Sequence, residues 1–160
     1  PDRIVASTAR RAHETAEPCA AALGLPIEHD SRLIEFGSGA PTPYTLSEML
    51  ESQPYDEIWH HHDESHDGET IGAFHARVAA AAEDVLAEGG RPLLVSHGGT
   101  TNALLRWVLG IDPLAPDSFA FSLPNASLCE VTLRVDRHGR RRAWVARVGD
   151  ASFLTRPTAI

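Results

Sequence analysis

The sequence predicts an α/β layered domain, and three stretches carry that expectation. A short apolar run, Ile4-Val5-Ala6, passes almost at once into a helical stretch. Residues 70–87 repeat apolar side chains at helical spacing and lead into a second apolar run, Pro92–Val95. That run turns through Ser96-His97-Gly98-Gly99 into a further helical pattern. Strands that alternate with helices form a sheet with helices packed on it.

Taken in order, Ile4–Ala6 is a short buried strand. Arg11–Leu23 is a helix with Ala12, Thr15, Ala16, Cys19, Ala20 and Leu23 on one face. Gly24 caps its end and Pro26 follows, while Pro18 within it predicts a kink or an early break. Ile27–His29 is an edge strand. Residues 35–69 are irregular: FGSGAPTPY is a loop by its Gly and Pro content, Thr45–Ser52 a short helix, and WHHHDESHDGE polar and unpatterned. Loops of this length in a compact domain serve as lids or mobile segments. Thr70–Ala87 is helical, with Ile71, Phe74, Val78, Ala82, Val85 and Leu86 on one stripe. Pro92–Val95 is a strand, and the next helix runs from about Thr100 to Leu109 and ends at Gly110. Val131–Val135 and Ala143–Val148 are strands joined by the basic turn DRHGRRR. There is no repeat and no linker, so residues 1–160 form one domain.

A chain of 160 residues buries about 68–70% of its unfolded surface, enough for a real core. A net charge of −8 argues against a nucleic-acid binder, since no field attracts a phosphate backbone. The basic stretch His138–Arg142 reads as a solvated turn. Two cysteines, Cys19 and Cys129, make no disulfide framework, so a reducing cytoplasm is expected. Neither a membrane-spanning run nor a signal peptide is visible. The chain opens with PDRIVAS and no Met, which predicts a segment upstream of Pro1.

Four pieces carry chemistry. In SxAxRAxxTA, read as Ser7, Ala9, Arg11, Ala12, Thr15 and Ala16, a strand passes into a helix with Arg11 in its first turn. Alone, Arg11 reads as a solvated arginine on the helix surface. In Leu33-Ile34-Glu35 a carboxylate stands beside two apolar residues. Glu35 is either a plain loop glutamate or a desolvated carboxyl with a raised pKa suited to donating a proton. In Asp67-Gly68-Glu69-Thr70, Asp67 or Thr70 caps the long helix and Glu69 favours its dipole. In Ser96-His97-Gly98-Gly99 the glycines permit tight turning, and the following helix offers free N–H groups to an anion that His97 faces.

In this order and spacing the pieces resemble the histidine phosphatase superfamily, the phosphoglycerate-mutase-like enzymes. The likeness covers nearly the whole chain, including Asn125–Leu128 and Gly149–Leu154. It implies a three-layer α/β/α fold with a mostly parallel sheet. The family's second pocket arginine falls on Arg11, its proton-donor glutamate on Glu35 and its second pocket histidine on His97. Arg11, His97 and Gly98 are then the phosphate-binding residues, with no metal and no cofactor. Departures are Ala9 where the family commonly has Leu, Asn102 where many members carry Arg, and a loop after Glu35 without the FGxWEG wording.

The family also opens with a strand ending in Arg-His-Gly, whose histidine is the nucleophile. Here HG occurs only at His97-Gly98 and His138-Gly139, and His138 lies in a turn among arginines. The resemblance therefore implies a member lacking its N-terminal part and its first central strand, or a naturally shortened, inactive relative. Such a fragment is expected to be marginal, prone to self-association and without phosphatase activity. The complete protein is expected to be a phosphomonoester hydrolase using a phosphohistidine on a small phosphorylated substrate. A non-catalytic phosphate-binding or interaction protein, a phosphoglycerate-mutase-type phosphotransferase and a homodimer stay open. The spacing between motifs is too short for the mutases' large insertions, which favours a phosphatase.

Two rival chemistries are weaker. His60, His61, His62 and His66, with Asp63 and Glu64, offer metal-ligand atoms, but consecutive residues converge on one ion only in a strained loop. Ser96 lacks the preceding glycine of a serine-hydrolase elbow.

Overall fold

The computed structural model describes residues 1–37, 69–112 and 120–155. The expected short helix at 45–52 and the histidine-rich stretch at 59–66 lie outside the described residues. Three strands form a parallel sheet: β1 (Arg3–Ser7), β2 (Ile27–Asp30) and β3 (Pro92–Val95), in the order β2-β1-β3. Ile4 pairs with Ile27 on one side and Leu93 on the other. A second, antiparallel sheet holds β4 (Leu128–Val135) and β5 (Arg141–Asp150). Among the described residues β3 pairs only with β1.

The central strand is buried on both faces, from Ile4 to Ser7. Its alternation decides the layers. Ile4 and Ala6 pack with Val95 against α1 (Arg10–Leu23) through Ala16, with Cys19 and Ala20 alongside. Val5 points the other way, into Leu33 and Ala81 of α2 (Ile71–Glu88). Helices thus cover both faces of the sheet. A third helix, α3 (Gly98–Val108), packs on α2 through Phe74, Val78 and Ala103.

Local signals set the helix ends. Gly24 takes a left-handed φ of 66°, and the N–H groups of Gly24 and Leu25 both return to the Ala20 carbonyl. The Thr70 hydroxyl accepts from Ala73 N at 3.1 Å and caps α2. Gly110, at φ 73°, follows α3. Several expectations are corrected. The helix runs through Pro18 unbroken. Thr15 is exposed and turns its hydroxyl back to the Arg11 carbonyl at 2.8 Å, while Leu23 is 42% exposed, so the buried face narrows to Ala12 and Ala16. Helix α3 starts two residues before Thr100, because glycines at 98 and 99 adopt helical backbone as readily as turns. Both hairpin strands begin earlier than their apolar runs and the second also ends later, at Asp150, with the turn closed by Asp136 accepting from His138 N and Arg140 N.

The hairpin docks through Arg141. Its guanidinium lies 4.1 Å from the Trp107 ring centroid and donates to Glu83, which also accepts the Trp107 indole N–H. On the strands themselves Trp144 and Val145 stay 53% and 40% exposed, so the alternation of β5 is not matched by burial. Cys19 and Cys129 are half-buried free thiols. No helix among the described residues is long and apolar enough to cross a membrane.

Candidate active site

Each of the three parallel strands delivers one polar residue just beyond its C-terminal end, the side of an open α/β sheet where ligands bind. Arg11 follows β1, Glu35 follows β2 by way of the single 3₁₀ turn Ser31–Leu33, and His97 follows β3. The three expected residues come together at the N-terminus of α3.

His97 is the N-terminal boundary residue of α3 and does not cap it with its ring. The ring reaches across the sheet instead. Its Nδ1 accepts from Arg11 Nε at 3.1 Å, and its Nε2 lies 2.9 Å from the Ser7 hydroxyl. A guanidinium only donates, so Nδ1 carries the lone pair and Nε2 the proton, which goes to Ser7 Oγ. Burial first, and then the Arg11 charge, hold the His97 pKa below its ordinary 6.5; Arg77 adds to this and Glu35 opposes it. His97 therefore stands as a neutral imidazole of fixed tautomer, with an exposed arginine beside it.

Glu35 completes the group from the other side. Its Oε2 accepts from Gly99 N at 2.9 Å and its Oε1 from Thr100 N at 3.1 Å, with Phe36 N adding 3.0 Å. Gly99 and Thr100 lie in the first turn of α3, where N–H groups lack intrahelical acceptors and the dipole favours negative charge. Glycine at 99 makes room for the carboxylate: a Cβ there would stand 2.5 Å from Glu35 Oε1 and displace it. Gly98, the other expected phosphate-binding residue, has open space where its Cβ would be. One of the two glycines seats the carboxylate, and the other leaves the helix end open to a ligand.

Reading the sequence missed the groups that hold this arrangement. Glu69, expected to favour the dipole of α2, instead forms a bidentate pair with Arg77 at 2.5 and 2.8 Å. Ser96, considered above as a nucleophile, donates to the Leu33 carbonyl at 2.7 Å. Thr100 Oγ1 donates to Ile34 O at 3.1 Å. A signal for Arg77 was present: it stands three residues after Phe74 and four before Ala81, on the buried stripe, where a charge needs partners. Asn102, in place of the arginine common in the family, makes two bonds to the Phe121 backbone, at 2.7 and 3.1 Å, and one to Gly98 O at 3.0 Å.

No cluster of metal-ligating residues occurs among the described residues. A surface concavity of about 320 Å³ lies on the hairpin, lined by Thr132, Arg134 and Trp144. It shares no residue with the Arg11–Glu35–His97 group and is an open shelf, so the chemistry is placed by the convergent polar groups.

Residues 1–146 match the histidine phosphatase superfamily (branch 1) as a family. The chain belongs to the histidine phosphatase superfamily. It is 30% identical over 166 residues to a probable phosphoglycerate mutase, GpmB, of Salmonella paratyphi A, covering 96% of this chain and 74% of that protein. Among solved structures it resembles a mycobacterial glucosyl-3-phosphoglycerate phosphatase, with 27% identity, a TM-score of 0.68, and coverage of 91% of this chain and 76% of that one. The corresponding figures for Bacillus stearothermophilus YhfR are 26%, 0.69, 94% and 74%. This member of the superfamily is thus a mixed α/β protein of the phosphoglycerate-mutase-like fold, with a mostly parallel sheet, and its relatives are phosphatases and phosphoglycerate mutase-like proteins.

Proposed function

We propose that this superfamily member is a phosphomonoester hydrolase working through a phosphohistidine, and that the attacking histidine stands outside the 160 residues. The observation that carries the proposal is the meeting of Arg11, Glu35 and His97, from three separate strand ends, at one helix N-terminus. Such a site suits a small anion: the guanidinium and the imidazole N–H donate to equatorial phosphoryl oxygens, and Gly98 leaves the helix end open. An incoming phosphoryl oxygen exchanges with Ser7 for the His97 Nε2 proton.

In the first step the attacking imidazole nitrogen forms a bond to phosphorus as the ester P–O bond breaks. Glu35 gives its proton to the departing alkoxide. Its Oε2 accepts from Gly99 N at the first turn of α3, beside His97 and the open helix end where the phosphoryl group would sit. In the second step the Glu35 carboxylate takes a proton from water, the water oxygen attacks phosphorus, and the N–P bond breaks to free phosphate. Neither step calls for a metal or a cofactor. Stabilisation of charge on the phosphoryl oxygens supplies most of the acceleration in such transfers. Mutases transfer the phosphoryl group to a second hydroxyl instead of water. The short spacing between the motifs here favours hydrolysis of a small phosphorylated substrate.

The test compares residues 1–160 with the protein expressed from its complete reading frame, on alkyl and aryl phosphates. We expect phosphate release and an acid-labile phosphoenzyme only from the complete frame. Turnover by residues 1–160 at the same rate would put the nucleophile inside them. Phosphate binding without turnover in either form would favour the non-catalytic reading.

A further inference from the structure

The stretch from Arg32 to Glu35 belongs to no strand, and its carbonyls need donor partners from elsewhere. All four find side chains. Arg77 NH1 donates to Arg32 O at 2.7 Å and to Ile34 O at 2.8 Å, and its NH2 to Glu35 O at 3.4 Å. Ser96 takes Leu33 O and Thr100 a second bond to Ile34 O. The other edge of the same guanidinium is held bidentately by Glu69, and its face lies 4.8 Å from the Phe74 ring centroid. The Arg77 and Glu69 side chains are only 20% and 25% exposed. Five hydrogen bonds and a ring face leave this planar group one orientation.

We infer that Arg77, braced by Glu69, is a positioning residue that fixes the backbone of Arg32–Glu35 and thereby holds the Glu35 carboxylate at the first turn of α3. The inference rests on the reading of Glu35 as proton donor. Glu35 carries its carboxylate on a flexible side chain whose reach depends on where its own backbone sits. Three of the carbonyls that locate that backbone are bonded to one residue of α2, so α2 sets the distance between Glu35 and His97. A lysine keeps the charge but presents a point donor, which cannot span Glu69 and three carbonyls together.

The experiment uses Arg77→Met, Arg77→Lys and the milder Glu69→Gln in the protein from its complete reading frame, with thermal unfolding as a folding control. Two readings are taken. The first is kcat/KM over phosphate esters of increasing leaving-group pKa, with and without Glu35→Gln. We expect Arg77→Met to lose about 10²-fold on the poorest leaving group, to lose little on activated ones, and to add nothing to Glu35→Gln. Arg77→Lys should recover only part of the loss. The second reading is amide exchange at Gly99 and Thr100. Their N–H groups lack intrahelical acceptors and donate to Glu35, while Thr101 N, bonded to His97 O, serves as the internal control. We expect exchange at 99 and 100 to rise about tenfold in Arg77→Met with Thr101 unchanged. Equal losses over all leaving groups, additive with Glu35→Gln, and unchanged exchange would overturn the inference, as would full recovery by lysine. If the unsubstituted protein releases phosphate from none of the esters, the proton-donor reading falls. The exchange rates then still decide whether Arg77 holds Glu35.

Discussion

Replacing Gly99 with alanine perturbs the site at one atom. Glycine at 99 does not owe its place to a left-handed backbone, because it lies within α3 and has no positive φ. The conflict lies wholly with Glu35, whose Oε1 would meet the new Cβ at 2.5 Å and its Cδ at 3.1 Å. The carboxylate is the free end of a side chain, so it swings away and the helix survives. Leaving costs its bonds to Gly99 N and Thr100 N, each worth roughly 1.5–3 kcal/mol as a charged hydrogen bond. Glu35 is partly exposed, so water recovers much of this. Alanine also returns about 0.8–1 kcal/mol of helix propensity. The net is a loss of about 1–2 kcal/mol, or roughly 2–8 °C in Tm for a domain of this size. Catalysis should suffer far more, since a displaced acid forfeits about 10²–10⁴-fold on esters with poor leaving groups. The assay is kcat/KM over a leaving-group series beside a thermal melt. Gly99→Ala with unchanged rates on the poorest leaving groups would refute both the contact and the role given to Glu35.

Other substitutions probe the same geometry. His97→Ala and Arg11→Ala should each lower turnover of an aryl phosphate about 10²–10³-fold, as loss of a preorganised donor does; initial rates on purified protein decide. Because the His97 pKa lies below its ordinary 6.5, the unfolded chain binds more protons near and below that pH. The stabilising contribution is therefore full above pH 6.5 and is lost as pH falls through the folded value; Tm against pH should flatten in His97→Gln. Thr70→Ala should cost about 1 kcal/mol of stability through loss of the α2 cap, read by denaturant unfolding, with little change in rate. Added chelator should leave phosphate release unchanged, and a loss would turn attention to His60–His66.

What could be read from the sequence was local. Gly24, Thr70 and Gly110 each act on the chain within a few residues of themselves, and each marks its helix end as expected. The buried strand Ile4-Val5-Ala6 was equally plain, and the structure turns its side chains to the two faces of a sheet. Pro18 misled because it judges only its own turn, whereas Ala12, Ala16 and the strands beneath them hold α1 together. The ends of the hairpin were hidden for a related reason. Leu128 and Asp150 pair through backbone groups, which leave no apolar trace to read.

The site residues were legible to a different degree. Arg11, Glu35 and His97 stand out because each belongs to a motif, and Arg11 and His97 also follow apolar strands. Their neighbours do not, since Arg77 meets carbonyls 42–45 residues away and Ser96 one at a distance of 63. No periodicity encodes such a contact. The trace it does leave is an arginine on the apolar stripe of α2, between Phe74 and Ala81, where solvation by water is restricted. A charge kept there must be answered by partners that are themselves out of place, such as unpaired carbonyls or a lone carboxylate. In this chain both were available, the carbonyls of Arg32–Glu35 and the carboxylate of Glu69. The misplaced charge on a core face therefore points to the loop whose position matters most, the one carrying the proposed acid.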